Sequence, residues 1–301
     1  MALHRSTVRF PSALALALVV SASGVAAAQQ VEVEEDGSPD LVPEDLESVD
    51  EEVKPGWHPF LKASGNVSLA HNKNVVGNPD GANLTLGYLI KGELDYLNET
   101  EEHEWQNDLD WQLAYTRTPT FDVFLKSLDV LQLETAYLYH FPSVKWFGPF
   151  AALKLKAQVF PGYDVRAEDT TVTRLDPHGE REPVYDELGN PVPDRVYASG
   201  KKIPLTDAFA PTTLRETVGL FAIPVDEKVF KLDLRLGFGA WETFVRDGYT
   251  IADDDSTPAL EIQRMKDFVQ LGPELQIKAR GVLKEAVSYG ANATFMYPAY
   301  T

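Results

Sequence analysis

The chain has 301 residues, no cysteine, and 27 Lys+Arg against 46 Asp+Glu, a formal net charge of −19. So large an acidic excess argues against nucleic acid as a partner, and the missing cysteine excludes both disulfides and a lipid-attachable thiol. No stretch offers the roughly 20 consecutive apolar residues that a membrane-spanning helix needs.

His4, Arg5 and Arg9 precede an apolar run from Ala13 to Val20, which exits through Ala26-Ala27-Ala28. A basic start, an apolar middle and a small-residue exit in that order predict a signal peptide over residues 1–28, cleaved after Ala28. Its loss removes Arg5 and Arg9 and leaves 25 basic residues against 46 acidic ones. From Gln29 to Val53 there are eleven carboxylates and no base. This composition predicts an acidic, solvated periplasmic spacer over residues 29–56.

At Pro55-Gly56-Trp57 the composition changes, and residues 57–301 break into segments that alternate apolar and polar side chains with a period of two, the signature of strands. The first runs through Leu61, Ala63, Val67 and Leu69, and the second from Leu84 to Tyr96. The third carries Trp105, Leu109, Trp111 and Tyr115, the fourth Leu131, Leu133, Tyr137 and Tyr139, and the fifth Ala151, Leu153, Leu155 and Val159. A weaker sixth (Val218, Leu220, Ala222) leads to the sharpest, Phe230 to Trp241. There Phe230, Leu232, Leu234, Leu236, Phe238 and Ala240 oppose Lys231, Asp233, Arg235, Gly237 and Gly239. The twin glycines predict room for a neighbour's side chain or a bend, and Trp241 is expected as an interface anchor at the outer rim. The eighth segment runs from Val269 to Arg280 and the ninth from Val287 to Tyr297.

Connections alternate in length. Those near residues 98–102, 142–145, 225–228 and 281–285 are tight, whereas 72–83, 117–126, 160–213 and 243–263 are long. Short periplasmic turns and long outer loops, behind a signal peptide, predict an all-β, antiparallel, up-and-down transmembrane β-barrel in the outer membrane, with a long extracellular loop at 160–213. Nine segments is an odd number where single-chain bacterial barrels close with an even one, so the expectation is a chain truncated from a barrel of about ten to twelve strands. Within the long loop, Glu182 to Tyr185 and Arg195 to Tyr197 flank Gly189-Asn190-Pro191, which predicts a small hairpin.

Trp105-x-Asn107-x-Leu109, Gln158-Val159-Phe160-Pro161-Gly162-Tyr163-Asp164, and Phe209-Ala210-Pro211 with Leu214 and Gly219 make the chain resemble an uncharacterised family of bacterial outer-membrane β-barrel proteins, a domain of unknown function. The resemblance covers roughly Trp57 to Trp241. It implies a barrel and carries over no functional residue, and its members generally continue past the point where this chain ends.

The charged faces carry the strongest signal for a site. Lys91, Glu93, Asp95, Asp108, Asp110, Glu134, Lys154, Lys156, Lys231, Asp233, Arg235, Lys278 and Arg280, with Glu274, are the expected lumen-lining residues. Charges there must pair or meet water. In a narrow barrel they fill the lumen, and in a wider one they line a passage. The expected function is a narrow pore or transport protein for small polar solutes. The alternative is a structural or surface-binding barrel with a closed lumen, and a lipid-modifying enzyme is more remote. His71, His103 and His140, with Ser64 and Ser68, form no catalytic motif, so no enzyme is expected. No histidine pair has metal-ligand spacing, and Asp253-Asp254-Asp255 lacks the Gly and distal Glu of a calcium loop, so neither cofactor nor metal is expected. The expected partners are outer-membrane lipid and the general barrel-assembly machinery.

Overall fold

The computed structural model describes residues 54–73, 80–121, 123–185, 191–192, 194–227, 229–254, 256–283 and 287–300. The expected signal peptide and the acidic stretch up to Val53 lie outside the described residues. Among the described residues every regular element is a strand and no helix is present.

All nine alternating segments are strands of one antiparallel sheet, arranged in chain order. They are β1 (Gly56–Asn72), β2 (Gly81–Leu97), β3 (His103–Arg117), β4 (Leu125–Tyr139), β5 (Phe147–Ala157), β12 (Thr212–Glu227), β13 (Phe230–Phe244), β16 (Phe268–Leu283) and β17 (Val287–Met296). The sheet is open, because β1 and β17 each have one neighbour and do not pair with each other. The sixth segment is no weaker than the rest. It is a full strand of 16 residues, interrupted by a register shift between Ala222 and Val225.

One face of this sheet is apolar and exposed, the reverse of a soluble protein. Leu61 (74 %), Val67 (72 %), Leu69 (71 %), Val218 and Leu236 (both 60 %) stand out from it, while Arg235 (3 %) and Glu274 (1 %) are buried on the other. The polar face is concave. Lys278 reaches Glu134 at 3.4 Å and the Arg235 guanidinium donates to Gln106 Oε1 at 3.3 Å. In each case the two strands are four apart in the sheet, so the contact can form only if the sheet curls back on itself. Glycines permit the tight curl, since Gly219 and Gly237 face each other directly. A Cβ on Gly237 would come within 2.5 Å of the Val218 carbonyl oxygen.

The loops at the other end of the strands fold into a second unit. Within 158–211 lie β6 (Gly162–Val165), β7 (Thr170–Leu175), β8 (Val184–Tyr185), β9 (Pro191–Val192), β10 (Arg195–Tyr197) and β11 (Lys202–Thr206), and within 245–267 lie β14 (Tyr249–Ile251) and β15 (Leu260–Arg264). Strands β10, β7, β15 and β14 form one sheet in which β15 pairs with β7 in parallel. Its core of Val172, Ile203, Leu260 and Ile262 is fully buried, with Tyr197, Leu205 and Tyr249 packed against it. The expected hairpin exists only in part. Val184-Tyr185 pairs with Pro191-Val192, whereas Arg195-Val196-Tyr197 pairs with β7 instead.

Candidate functional site

The concave face is built row by row from the register. Glu93 pairs with Asp108, Asp108 with Glu134, Glu134 with Lys154, Lys154 with Arg215 and Arg215 with Trp241, so all six share one face. Neighbouring rows place Lys91, Asp110 and Lys156 on the same face, and Lys231, Asp233, Arg235, Lys278 and Arg280 follow along β13 and β16. Asp95 shares it through His58. The thirteen residues singled out in the sequence therefore occupy one face. Trp241 is a correction: its register puts it on this concave face, where it is buried with the Arg215 guanidinium 5.5 Å from its ring centroid. It does not stand on the exposed apolar face, where an interface anchor is expected.

The two signs are unevenly distributed along the face. Strands β2 to β4 contribute Glu93, Asp95, Glu104, Asp108, Asp110 and Glu134 with a single base, Lys91. Strands β5 to β16 contribute Lys154, Lys156, Arg215, Lys231, Arg235, Lys278 and Arg280, with Asp233, Glu274 and, at the turn, Asp226. Glu274 is the most enclosed of these. Its carboxylate accepts from Arg215 Nε at 3.0 Å, Thr217 Oγ1 at 3.0 Å and Gln276 Nε2 at 2.5 Å. Gly239 makes the space, because a Cβ there would meet Glu274 Oε2 at 2.7 Å. The room expected beside the twin glycines is thus filled by a neighbour's side chain. Arg215 and Thr217 are missed in the sequence because both precede the weak sixth pattern. Gln106 falls on the polar face of the third segment but, being uncharged, is not among the candidates.

A cavity of about 30 Å³ lies among Glu134, Lys154, Arg215, Thr217, Gln276 and Lys278, room for a water or two. Toward the short-turn end, Ala136, Leu138, Phe150 and Phe221 form a fully buried apolar cluster. The Arg235 guanidinium lies over it, 5.6 Å from the Phe150 ring centroid.

The histidines are committed elsewhere. His140, just beyond β4, donates from Nδ1 to the Lys145 carbonyl at 2.6 Å and from Nε2 to Glu104 at 2.8 Å. Burial alone would lower its pKa, but these two acceptors outweigh it and hold the imidazolium above its ordinary range. His103 Nδ1 contacts the Tyr137 hydroxyl at 2.6 Å, and His71 is exposed. Among the described residues no group of three or more His, Asp or Glu is placed to hold a metal. Asp255 lies outside the described residues, Asp253 faces Arg166 at 3.8 Å, and Asp254 accepts from the Ser256 amide at 2.9 Å.

A larger cleft of about 420 Å³ separates the outer strand ends from the loop unit and is lined by Lys126, Asp129, Gln158, Tyr163, Thr206 and Tyr249, among others. Its charges are taken up by the fold. Lys126 donates to Asp129 at 2.9 Å, to Gln158 at 3.2 Å and to the Phe160 carbonyl at 2.7 Å. Asp129 accepts the amides of Val159 and Phe160 at 3.1 and 2.8 Å. Here the two motif stretches meet. The Gln158 side-chain amide donates to the Ala210 carbonyl and to Thr206, and the Phe209 amide returns to the Gln158 carbonyl at 2.9 Å. They form a clamp joining the start and end of the long loop.

Residues 76–163 match a family described as Protein of unknown function (DUF3078). A domain of unknown function is thus found over β2 to β5, and it contains the Trp105 motif and all of the Gln158 motif except Asp164. The match is narrower than the stretch from Trp57 to Trp241 and leaves out Phe209-Ala210-Pro211. No curated protein and no solved structure matches the chain.

Proposed function

We propose that the protein is an outer-membrane β-barrel whose lumen is closed and whose ordered outer loops make its contacts. The inside-out burial of the nine-stranded sheet supports the membrane assignment: in water an apolar face on this scale would associate, whereas in lipid it is the face that belongs outside. Aromatic side chains at the short-turn end support it too. Trp57 packs on Tyr96, Tyr139 on Phe141, and Trp146 on Phe147, while Trp105 and Tyr137 are exposed beside them. Such rings gather at the headgroup level of barrels.

Closure of the wall requires pairing for β1 and β17, since an open edge in lipid leaves backbone groups unsatisfied at several kcal/mol each. By the alternation, β1 and β17 run in the same direction, so an odd number of further strands between them gives an antiparallel barrel of about ten or twelve. Signal-directed export and delivery by the general barrel-assembly machinery accompany this reading.

The observation that carries the closed lumen is the pair of contacts across the concave face, Lys278 to Glu134 and Arg235 to Gln106, above a fully buried apolar cluster. Full-length protein reconstituted in planar bilayers tests it. No channel activity is expected over a range of voltages and salts. Steady conductance by the unaltered protein would return the narrow pore for small polar solutes to first place.

A further inference from the structure

The division of charge on the concave face has a mechanical meaning, one that rests on the closed-lumen reading. Pairs within one sector join near neighbours in the sheet, as Arg215 and Glu274 do, and they stiffen the wall without crossing the space it encloses. Lys278 to Glu134 and Arg235 to Gln106 are different, because each joins the basic sector β5–β16 to the acidic sector β2–β4 across the trough. The apolar cluster beneath them does not span the lumen. Its residues come from β4, β5 and β12, three consecutive strands, so it lines one side, and Arg235 from the adjoining β13, the cross-strand partner of Phe221, covers it and reaches on to Gln106. Arg235 is placed for that crossing at some cost to itself: its side chain is 3 % exposed and its Nη1 is buried without a hydrogen-bond partner among the described residues.

We propose that the opposed acidic and basic sectors form an electrostatic latch, with Lys278–Glu134 and Arg235–Gln106 as its rungs, that holds a passage through the protein shut. Lys278 and Glu134 attract each other across the trough and the Arg235 guanidinium is held there by the neutral Gln106 amide oxygen, so removing a rung leaves a charge without its partner and water free to enter beside it. Once open, the passage presents carboxylates on one side and bases on the other. It therefore admits small ions of either sign and also dipolar solutes, with weak selectivity.

The test compares full-length proteins in planar bilayers, each first shown to be folded by its heat-sensitive mobility on gels. Lys278→Glu turns one rung into a repulsion, facing Glu134 across the lumen and Asp233 on the neighbouring strand. Glu134→Gln removes the same rung mildly, which keeps the test available should the reversal fail to fold. Lys145→Gln, in a tight turn and paired with Glu101 at 2.5 Å, serves as the control. The expected result is silence from the unaltered protein and the control, and a rise in ion flux of at least about tenfold from Lys278→Glu, with a smaller rise from Glu134→Gln. Folded but silent Lys278→Glu and Glu134→Gln would overturn the latch while leaving the closed lumen standing. Flux from the control equal to that from the rung variants would also overturn it, and flux from the unaltered protein would instead overturn the closed-lumen reading.

Discussion

The nine-stranded wall and the loop unit above it are built from the same residue types, arranged in opposite senses. In the loop unit Val172, Ile203, Leu260 and Ile262 are buried together, and charged side chains such as Arg181 and Asp247 stand outside. In the wall Leu61, Val218 and Leu236 stand outside and Arg235 and Glu274 are enclosed. Hydrophobic burial explains the first unit by itself. It explains the second only if the surroundings of the wall are themselves apolar, which is the condition that the proposed membrane location supplies.

The largest expected effect breaks the wall from within. Glu274→Leu removes the carboxylate that Arg215 and Thr217 share and leaves a buried guanidinium without its main acceptor, at a cost of about 3–5 kcal/mol. Urea titration of refolded protein in micelles reads the loss, and an unchanged midpoint would mean that water reaches Arg215 freely. Next is Leu236→Arg on the outer face. For a surface in water a residue 60 % exposed tolerates arginine with almost no change, whereas a charge near the middle of a bilayer costs about 2–4 kcal/mol. Folding yields into lipid vesicles decide between them, and full recovery of the arginine variant would contradict the lipid-facing assignment. Smaller again is Ile262→Val in the loop unit, about 1 kcal/mol. It should speed proteolysis of the outer loops and leave the wall's unfolding midpoint where it was, because Ile262 is fully buried in a core that includes no residue of the wall.

The same contrast explains what the sequence could reveal. All nine wall strands were readable, since a strand with one apolar and one polar face writes the two faces in opposite residue types, as in Phe230 to Trp241. The sixth looked weak because Glu216 interrupts the apolar side and Phe221 the polar side, and Arg215 went unseen with it. The loop unit left almost no trace. Its short strands pair across the chain, β7 with β15 in parallel, and no local pattern encodes such a partner. The thirteen concave-face residues were found by alternation, but their division into an acidic and a basic sector emerges only when strands are laid side by side. Glu134 and Lys278 lie 144 residues apart, so no spacing rule joins them.

The smallest effect sharpens the boundary between wall and water at the short-turn end. His140 gives one N–H to the Lys145 carbonyl and the other to Glu104, an arrangement that needs both ring nitrogens protonated. Its raised folded-state pKa fixes the sign. The proton is bound more tightly in the folded protein than in the unfolded chain, so the stabilisation is fully present below the ordinary imidazole value of about 6.5 and is lost as pH rises through the raised value. Unfolding midpoints in micelles at about pH 5.5 and pH 8.5 should therefore show the unaltered protein losing its advantage over His140→Gln on the alkaline side. A gap that stays constant between the two would mean that His140 is held neutral in the fold.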